Sequence, residues 1–234
     1  MQIFYAPDIN GLSYSLGREE SRHCVKVLRL REGSPVKLID GKGNLFDGVI
    51  VDPDPAACSI SIAGVVNNFE QRNYKLHLAV SPLKNPERYE WMVEKCVEMG
   101  IDEITPLLCK NTEKRNIRTD RLRNIIVSAM KQSLKAYLPV LNEPREFKDL
   151  LTSQAYEKKL IAHCNLNFKR VSVGEAYTRG TSAMILIGPE GDFTVEEIEL
   201  ATKSGFVQVH LGQSRLRTET AGIAACHSIC FMNE

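Results

Sequence analysis

Two glycine-bearing segments hold the residue types best suited to ligand binding and catalysis. Residues 188–194 read GPEGDFT, and their two glycines allow positive φ and a close approach of the backbone to a ligand. Residues 211–221 read LGQSRLRTETA and bring two arginines and a glutamate to the start of a predicted helix of small residues. Unpaired N–H groups at a helix start favour a carboxylate or another anion. An ordinary strand–helix turn and a structural ion pair remain alternative explanations of the two segments.

The familiar nucleotide, nucleophile and metal motifs do not account for these segments. The run Gly41-Lys42-Gly43 lies in a strand-rich region without a following helix, so it is not a dinucleotide fingerprint, and there is no P-loop. No Gly-x-Ser-x-Gly elbow occurs, and the adjacent His–Cys pairs lack the spacing of zinc ligands. The sequence therefore predicts chemistry without a metal ion.

The second half of the chain supplies the elements that position both segments. After residue 74, strand patterns alternate with helical patterns, which indicates a mostly parallel sheet covered on both faces. Strands are predicted at 75–81, 103–108, 138–141, 159–163, 183–188 and 206–211. Helices are predicted at 86–99, 119–135, 147–154, 195–204 and 218–232. Each glycine-bearing segment follows a late strand, so we expect both at the carboxyl edge of the sheet, in one crevice at the ends of neighbouring strands.

The first 70 residues have a different pattern. Short strands are predicted at 3–7, 35–40, 44–51 and 57–66, with a tight hairpin connection at 40–44 and one helix at 18–30. This pattern is typical of a small β domain or barrel. The polar run at 67–73 is interpreted as a linker.

Composition and charge restrict the function classes. The 234 residues are 43% hydrophobic and 25% charged, values of an ordinary globular protein, which excludes disorder as the main state. The net charge is only +1, but residues 110–135 contain eight Lys and Arg against two acids. That local excess favours either a phosphate backbone as partner or a solvated helix face.

The cysteines and the lack of long apolar runs indicate the compartment. No C-x-x-C pair occurs, and seven cysteines cannot all pair within one chain, so we expect buried thiols in a reducing cytoplasm. There is no export signal and no run of about 18 apolar residues, so no membrane partner is expected.

The two glycine-bearing segments carry a resemblance to a known family. Residues 188–194 are similar to the GPEGG-F-S/T motif, and residues 211–221 to the LG-x-x-x-LRTETA motif, of the 16S ribosomal RNA uridine-N3 methyltransferases (RsmE type) of the SPOUT superfamily. Residues 23–30, 94–100 and 129–133 resemble the H-x-x-x-VLRL, K-x-x-E-x-G and A-x-x-Q-S segments of that family. The resemblance therefore spans nearly the whole chain.

Two positions depart from the family pattern. Asp192 stands where the first motif usually has the second glycine of its adjacent pair, which bears on the backbone geometry of that loop. Leu134 stands where the family often has a basic residue, which bears on the RNA contacts there.

The resemblance implies an α/β protein of two domains. A PUA-like β-barrel RNA-binding domain is expected at residues 1–70, and a SPOUT methyltransferase domain at residues 74–234, whose last segments form a trefoil knot. It also implies S-adenosylmethionine held in the crevice of the knot, and a homodimer in which the partner chain helps complete the site. The expected reaction is methylation of N3 of a uridine in 16S ribosomal RNA of the small subunit, with uridine 1498 as the family's target.

Residue roles follow from the two motifs and from the chemistry of this reaction. Glu219 or Glu190 is the candidate base for the N3 proton, and Arg217 is the candidate group that stabilises the charge developing on the uracil. The predicted cofactor-binding residues are Ile187, Gly188, Pro189, Glu190, Gly191, Leu211, Gly212, Arg215, Leu216, Thr218 and Ala221. The predicted RNA-binding residues, chosen for their positive charge, are Arg18, Arg22, Arg29, Lys114, Arg115, Arg121 and Lys131.

Two other functions remain open at this point. One keeps the fold and changes the chemistry, for example to methylation of a ribose 2′-oxygen. The other is a non-catalytic ribosome-assembly factor that binds RNA and uses the pocket only structurally.

Overall fold

The computed structural model describes residues 2–152 and 155–234. The chain divides into two compact units. One comprises residues 2–71 together with 130–138, and the other comprises residues 72–129 together with 139–234. Residues 153 and 154, the last two of the helix predicted at 147–154, lie outside the described residues.

The first unit is built on a mixed β sheet. Its strands are β1 (Ile3–Tyr5), β2 (Ser13–Ser15), β3 (Pro35–Ile39), β4 (Leu45–Asp52) and β5 (Ser59–Val66). They are ordered β1-β3-β4-β5-β2, with β1 parallel to β3 and the other pairs antiparallel. Side chains of one sheet face, among them Phe4, Leu38, Ile50 and Ile60, form the buried core, as the period of two along a strand requires.

The helix predicted at 18–30 is interrupted. It is α-helical over Arg18–Arg22, which is α1, and π-helical over His23–Val27. The chain leaves the helix near Arg29, whose φ of +55° belongs to the left-handed region. A π-helical turn is rare and occurs often at functional sites. The predicted RNA-binding arginines of the first unit lie on and beside this segment.

Residues 130–138 pack within the first unit although they are distant from it in sequence. The Lys131 ammonium lies 2.5 Å from the Glu20 carboxylate. The N–H of Leu138 donates a hydrogen bond to the carbonyl of Gly41 at 2.9 Å. The chain therefore returns to the first unit at residues 130–138, after residues 72–129 have contributed to the second unit.

The second unit contains a parallel sheet. Its strands are β6 (Leu76–Val80), β7 (Glu103–Leu108), β8 (Val140–Leu141), β9 (Arg145–Glu146), β10 (Lys158–Ala162), β11 (Val171–Ser172), β12 (Ala183–Ile187) and β13 (Val207–His210). They are ordered β11-β13-β10-β12-β6-β7-β8, and β9 also pairs with β7. Every residue of β12 is buried, as expected of a continuously apolar strand that is covered on both faces.

Helices cover both faces of this sheet. They are α2 (Pro86–Met99), α3 (Thr119–Gln132), α4 (Phe147–Leu151), α5 (Val173–Ala176), α6 (Val195–Lys203) and α7 (Thr218–Met232). Phe147 of α4 and Ile198 of α6 join a buried cluster with Leu186 of β12. On the other face α2 and α7 pack closely. There is space only for a glycine at position 222 of α7, since a Cβ atom there would lie 2.5 Å from Sδ of Met92 in α2.

The predicted α/β class and the parallel sheet are confirmed, and the differences concern short elements. The sequence does not predict β2, β9, β11 or α5, since two to four residues give too short a periodic signal. The helix predicted at 119–135 ends at Gln132, shortly before Leu134 adopts a left-handed φ of +60°. The trefoil knot stays a prediction. Within the described residues, no helix combines the length and apolar character needed to cross a bilayer.

Candidate active site

The two glycine-bearing segments lie at the same edge of the sheet. Residues 188–194 follow β12 and residues 211–217 follow β13, and both strands run parallel to β10, which lies between them. The prediction that the two strands are neighbours is wrong, because β10 separates them. Parallel strands nevertheless end at one edge, so the two loops flank the carboxyl end of β10.

Asp192 holds the first loop in place. Its φ of +62° is left-handed, a conformation that Asp tolerates better than most residues. One carboxylate oxygen accepts a hydrogen bond from the N–H of Phe193, and the other accepts one from the N–H of Cys164, each at 2.8 Å. The departure from the family's glycine therefore keeps the left-handed turn and adds two hydrogen bonds, one of them to the chain that leaves β10.

Two further contacts fix the same loop. Nδ2 of Asn111 donates a hydrogen bond to the carbonyl of Asp192 at 3.1 Å. Oε1 of Glu190 accepts a hydrogen bond from the N–H of Lys84 at 3.0 Å. Glu190 thus accepts a hydrogen bond that links the first loop to the chain just before α2.

The predicted cofactor residues lie in and beside the two loops. The first group comprises Ile187 at the end of β12, followed by Gly188, Pro189, Glu190 and Gly191. The second group comprises Leu211, Gly212, Arg215 and Leu216 before α7, with Thr218 and Ala221 in its first turn. The side chains of Ile187 and Thr218 are buried, whereas Gly212 and Arg215 are exposed.

The starts of α6 and α7 differ in their capping. Thr194 caps α6 through a capping box with Glu197. At α7, the N-cap residue Arg217 makes no side-chain capping hydrogen bond. Gly212 has a φ of +112°, which glycine adopts readily, and the space beside its Cα is open. The first turn of α7 therefore presents N–H groups without a side-chain cap to an anionic ligand.

Glu219 is an almost buried carboxylate. Its side chain is only 10% exposed, and its Oε1 lies 3.5 Å from Nη1 of Arg88. That distance is long for a hydrogen bond between charged groups. Among residues 2–152 and 155–234, no donor forms a hydrogen bond to this carboxylate.

Glu219 borders a shallow, open pocket of about 560 Å³ between the starts of α2 and α7. The residues that line it are Asn85, Glu87, Arg88, Trp91, Arg217, Glu219 and Thr220. The structure thus brings two of the three predicted catalytic residues together, whereas Glu190 is not part of this lining.

Four residues of the site escape the sequence motifs. Asn111 and Cys164 act on the first loop from positions far away in sequence, so no local pattern marks them. Arg88 and Trp91 lie three residues apart on α2. The sequence feature that could have indicated them is a large aromatic side chain among the charged residues at the start of this helix.

The chain at the end of β10 carries His163, a buried histidine fixed in one neutral form. Its Nδ1 accepts a hydrogen bond from the N–H of Asn165 at 3.3 Å, and its Nε2 lies 3.1 Å from Oε1 of Gln208. These partners assign the proton to Nε2. Burial lowers the pKa of His163 below its usual value, which favours the neutral ring.

The predicted RNA-binding residues are divided between the two units. Lys131 pairs with Glu20 at 2.5 Å, Arg115 with Glu146 at 2.9 Å and Arg121 with Glu90 at 2.7 Å. The remaining four are exposed and form no ion pair within the described residues; they are Arg18, Arg22, Arg29 and Lys114. Part of the basic excess at 110–135 is therefore neutralised by acids, as on a solvated helix face.

Cysteines and metal ligands show no cluster for a metal ion. In the part of the chain that the structure describes, no three His, Cys, Asp or Glu side chains are placed to share one. Six of the seven cysteines are buried, and Cys164 is exposed. The prediction of buried thiols is wrong at Cys164, because it lies on the surface loop that follows β10.

Comparison with known proteins identifies the families of both parts of the chain. Residues 70–230 match the RNA methyltransferase domain, and residues 16–62 match the RNA methyltransferase PUA domain. The chain is 33% identical over 172 residues to ribosomal RNA small subunit methyltransferase E of Mesomycoplasma hyopneumoniae, which covers 69% of this chain and 71% of that protein.

Two solved structures are similar over the whole chain. A probable rRNA-methyltransferase from Porphyromonas gingivalis is 39% identical with a TM-score of 0.93, covering 100% of this chain and 98% of that one. A ribosomal RNA small subunit methyltransferase E from Neisseria gonorrhoeae, solved bound to S-adenosyl methionine, is 25% identical with a TM-score of 0.90, at 100% and 98% coverage. The chain therefore belongs to the RNA methyltransferase family, and its recognition from sequence as a relative of ribosomal RNA small subunit methyltransferase E is confirmed.

Proposed function

We propose that this protein transfers a methyl group from S-adenosylmethionine to N3 of a uridine in 16S ribosomal RNA of the small subunit, in the cytoplasm. The observation that carries the proposal is the Glu219 carboxylate, nine-tenths buried beside a pocket and without a hydrogen-bond donor among the described residues. Membership of the RNA methyltransferase family supports the same reaction. Uridine 1498 is the family's target and the first position to test.

The two loops suit S-adenosylmethionine. Its carboxylate matches the first turn of α7, which has no side-chain cap. Gly212 lets a ligand approach the backbone, and a Cβ at Gly188 would lie 3.0 Å from the ring of Phe193, so a larger residue there would require that ring to shift. When bound, this cofactor supplies an electrophilic methyl group on a positively charged sulfur. The relative from N. gonorrhoeae, solved with the same molecule, supports this assignment.

The pocket residues remove a proton and orient the base. Glu219 accepts the proton of N3, and the electron pair left on N3 forms the bond to the methyl carbon while the carbon–sulfur pair stays on sulfur. Arg217 lines the same pocket and stabilises the negative charge that develops on the uracil. Arg88, 3.5 Å from Glu219, orients the carboxylate.

RNA binding is assigned to the basic residues that have no acidic partner. Arg18, Arg22 and Arg29 contribute from the first unit, and Lys114 contributes from the second. The ion-paired residues Arg115, Arg121 and Lys131 contribute less, because phosphate must first displace a carboxylate. In this assignment residues 1–70 bind RNA, and residues 74–234 form the catalytic domain with its trefoil knot.

The exposed side of α7 supports a homodimer. This helix carries apolar side chains on all sides, yet Phe231 is 64% exposed, and Ile223 and Ala224 are only half-buried. A helix that is apolar all round is usually covered all round. The resemblance to the family implies that a second copy of the chain covers this side of α7. Thr220 belongs to the same exposed side and to the pocket, so the partner chain would help complete the site.

The decisive experiment uses small ribosomal subunits from a strain that lacks this protein. They are incubated with the protein and S-adenosylmethionine carrying a labelled methyl group, and the RNA is then digested to nucleosides. Labelled N3-methyluridine is expected, and it should stop reverse transcription because N3 has lost its Watson–Crick donor. A label on a ribose 2′-oxygen would assign the alternative chemistry. If calorimetry detected no binding of S-adenosylmethionine, a non-catalytic assembly factor would replace both.

A further inference from the structure

The pocket between α2 and α7 contains the single tryptophan of the sequence. Trp91 is 49% exposed, which is high for so large an aromatic side chain. Its charged pocket neighbours are the guanidinium groups of Arg88 and Arg217 and the carboxylates of Glu87 and Glu219. An aromatic face, two guanidinium groups and a carboxylate match the three parts of a nucleotide, namely a stacking ring, a phosphate and a base N–H.

The pocket adjoins both cofactor loops. Asn85, in its lining, follows Lys84, whose N–H donates a hydrogen bond to Glu190 of the first loop at 3.0 Å. Arg217, also in its lining, directly follows Leu216 of the second loop. A ligand in this pocket therefore lies beside the segments to which we assign the methyl donor.

We infer that this pocket receives the target pyrimidine after it leaves its stack in the RNA, and that the indole ring of Trp91 is the surface on which the base stacks. The inference rests on the proposed function and adds a binding residue to it. Extruding a base from folded RNA costs free energy, and stacking on an aromatic side chain offsets part of that cost. The stacked base then shares the pocket with Glu219, the acceptor of its N3 proton.

A second copy of the chain could cover this pocket instead of a nucleotide, because Thr220 belongs both to the pocket and to the exposed side of α7. The composition of the pocket favours the nucleotide, because every residue of its lining except Trp91 is polar or charged. The partner of the Glu219 carboxylate within the described residues is Arg88, at the long distance of 3.5 Å. The N–H of a uracil would give this carboxylate a second and closer donor.

The first test compares two variants with matched readouts. Trp91→Leu removes the aromatic face, and we expect kcat/KM for small subunits to fall at least about fivefold, the lower end of the range for one stacked base. Trp91→Phe keeps an aromatic face and should retain most of the activity. The affinity for S-adenosylmethionine and the molar mass in solution should be unchanged in both. An unchanged kcat/KM in Trp91→Leu overturns the inference, and so does a loss of activity that accompanies dissociation into monomers.

The second test needs no variant, because Trp91 is the single source of tryptophan fluorescence. Uridine 5′-monophosphate, titrated in the presence of S-adenosylhomocysteine, should quench the emission in a saturable way, whereas ribose 5-phosphate should not. Absence of quenching by uridine 5′-monophosphate overturns the inference. Methyl transfer by the wild-type protein is measured separately, so failure of the base pocket is distinguishable from failure of the proposed function.

Discussion

The carboxylate of Asp192 lies 2.8 Å from the backbone nitrogen of Cys164, and this hydrogen bond joins the loop after β12 to the chain that leaves β10. The two strands are neighbours in the sheet. The bond therefore holds the first loop, residues 188–194, against the end of β10, the strand that lies between the two loops. A glycine at this position has no side chain for that purpose, so this chain positions the loop by a means that the family motif lacks.

The first prediction concerns the stability that Asp192 contributes. Asp192→Gly keeps the left-handed backbone but loses two hydrogen bonds, so we expect the free energy of unfolding to fall by about 1–3 kcal/mol. Asp192→Ala should cost a further ~1 kcal/mol, because alanine resists a φ of +62°. Asp192→Asn, which keeps an acceptor oxygen and tolerates the turn, is the matched control. Urea unfolding gives the order, and equal stability of the Gly and Ala variants would refute the role of backbone strain.

The second prediction concerns the base. Glu219→Gln conserves the size of the side chain and removes its capacity to take a proton, so turnover should fall by roughly 10²- to 10⁴-fold. The affinity for S-adenosylmethionine should stay the same, because Glu219 makes no hydrogen bond to either loop within the described residues. Methyl transfer and calorimetry measure the two quantities.

Glu190→Gln is the control for Glu219→Gln. The amide oxygen can still accept the hydrogen bond from the N–H of Lys84, so turnover should change little. A Glu219→Gln variant that turns over normally, or a larger loss in Glu190→Gln, would transfer the role of base away from Glu219.

The third prediction concerns the salt dependence of RNA binding. Arg22 and Arg29 are exposed and have no ion-pair partner within the described residues, so each change to Gln should weaken binding and reduce the salt slope by about one. Lys131→Gln should have a smaller effect, because the Lys131 ammonium already neutralises Glu20. Affinities measured at several salt concentrations test this, and equal slopes for all three variants would contradict it.

The fourth prediction concerns the pH dependence of stability. His77 is 2% exposed, and burial lowers its pKa to about 4 from an ordinary value of 6.5. Between these pH values the unfolded chain binds a proton at His77 that the folded chain does not. The contribution of neutral His77 to the free energy of unfolding is therefore fully present above pH 6.5. As the pH falls from 6.5 towards 4, the free energy of unfolding decreases by about 3 kcal/mol. Urea unfolding at several pH values measures this loss.

The surroundings of His77 suggest the matched variants for that measurement. Its Nε2 lies 2.7 Å from Thr105 and 3.8 Å from the Glu103 carboxylate, and its Nδ1 has no partner among the described residues. His77→Gln should flatten the dependence between pH 7 and 4.5, while His23→Gln, at an exposed histidine, should leave it intact. A dependence that survives in His77→Gln would assign it to another group.

Local pattern in the sequence determined the longer elements and the family. The helices at 86–99 and 218–232 and the strand at 103–108 have the predicted bounds. Their residues repeat with the period of one secondary structure over enough turns or pleats to be recognised. The two glycine-bearing motifs are likewise contiguous, so their place after a strand and before a helix follows from residues within a dozen positions.

Tertiary structure alone decided which distant residues meet. The insertion of β10 between β12 and β13, the return of residues 130–138 to the first unit and the pairing of Arg88 with Glu219 have no local signature. Each depends on how strand ends and helix faces are ordered in space, and hydrophobic periodicity carries no information about that order. Polar contacts then complete the selection, because the half-buried carboxylate of Asp192 accepts its hydrogen bonds from donors that the fold brings to it.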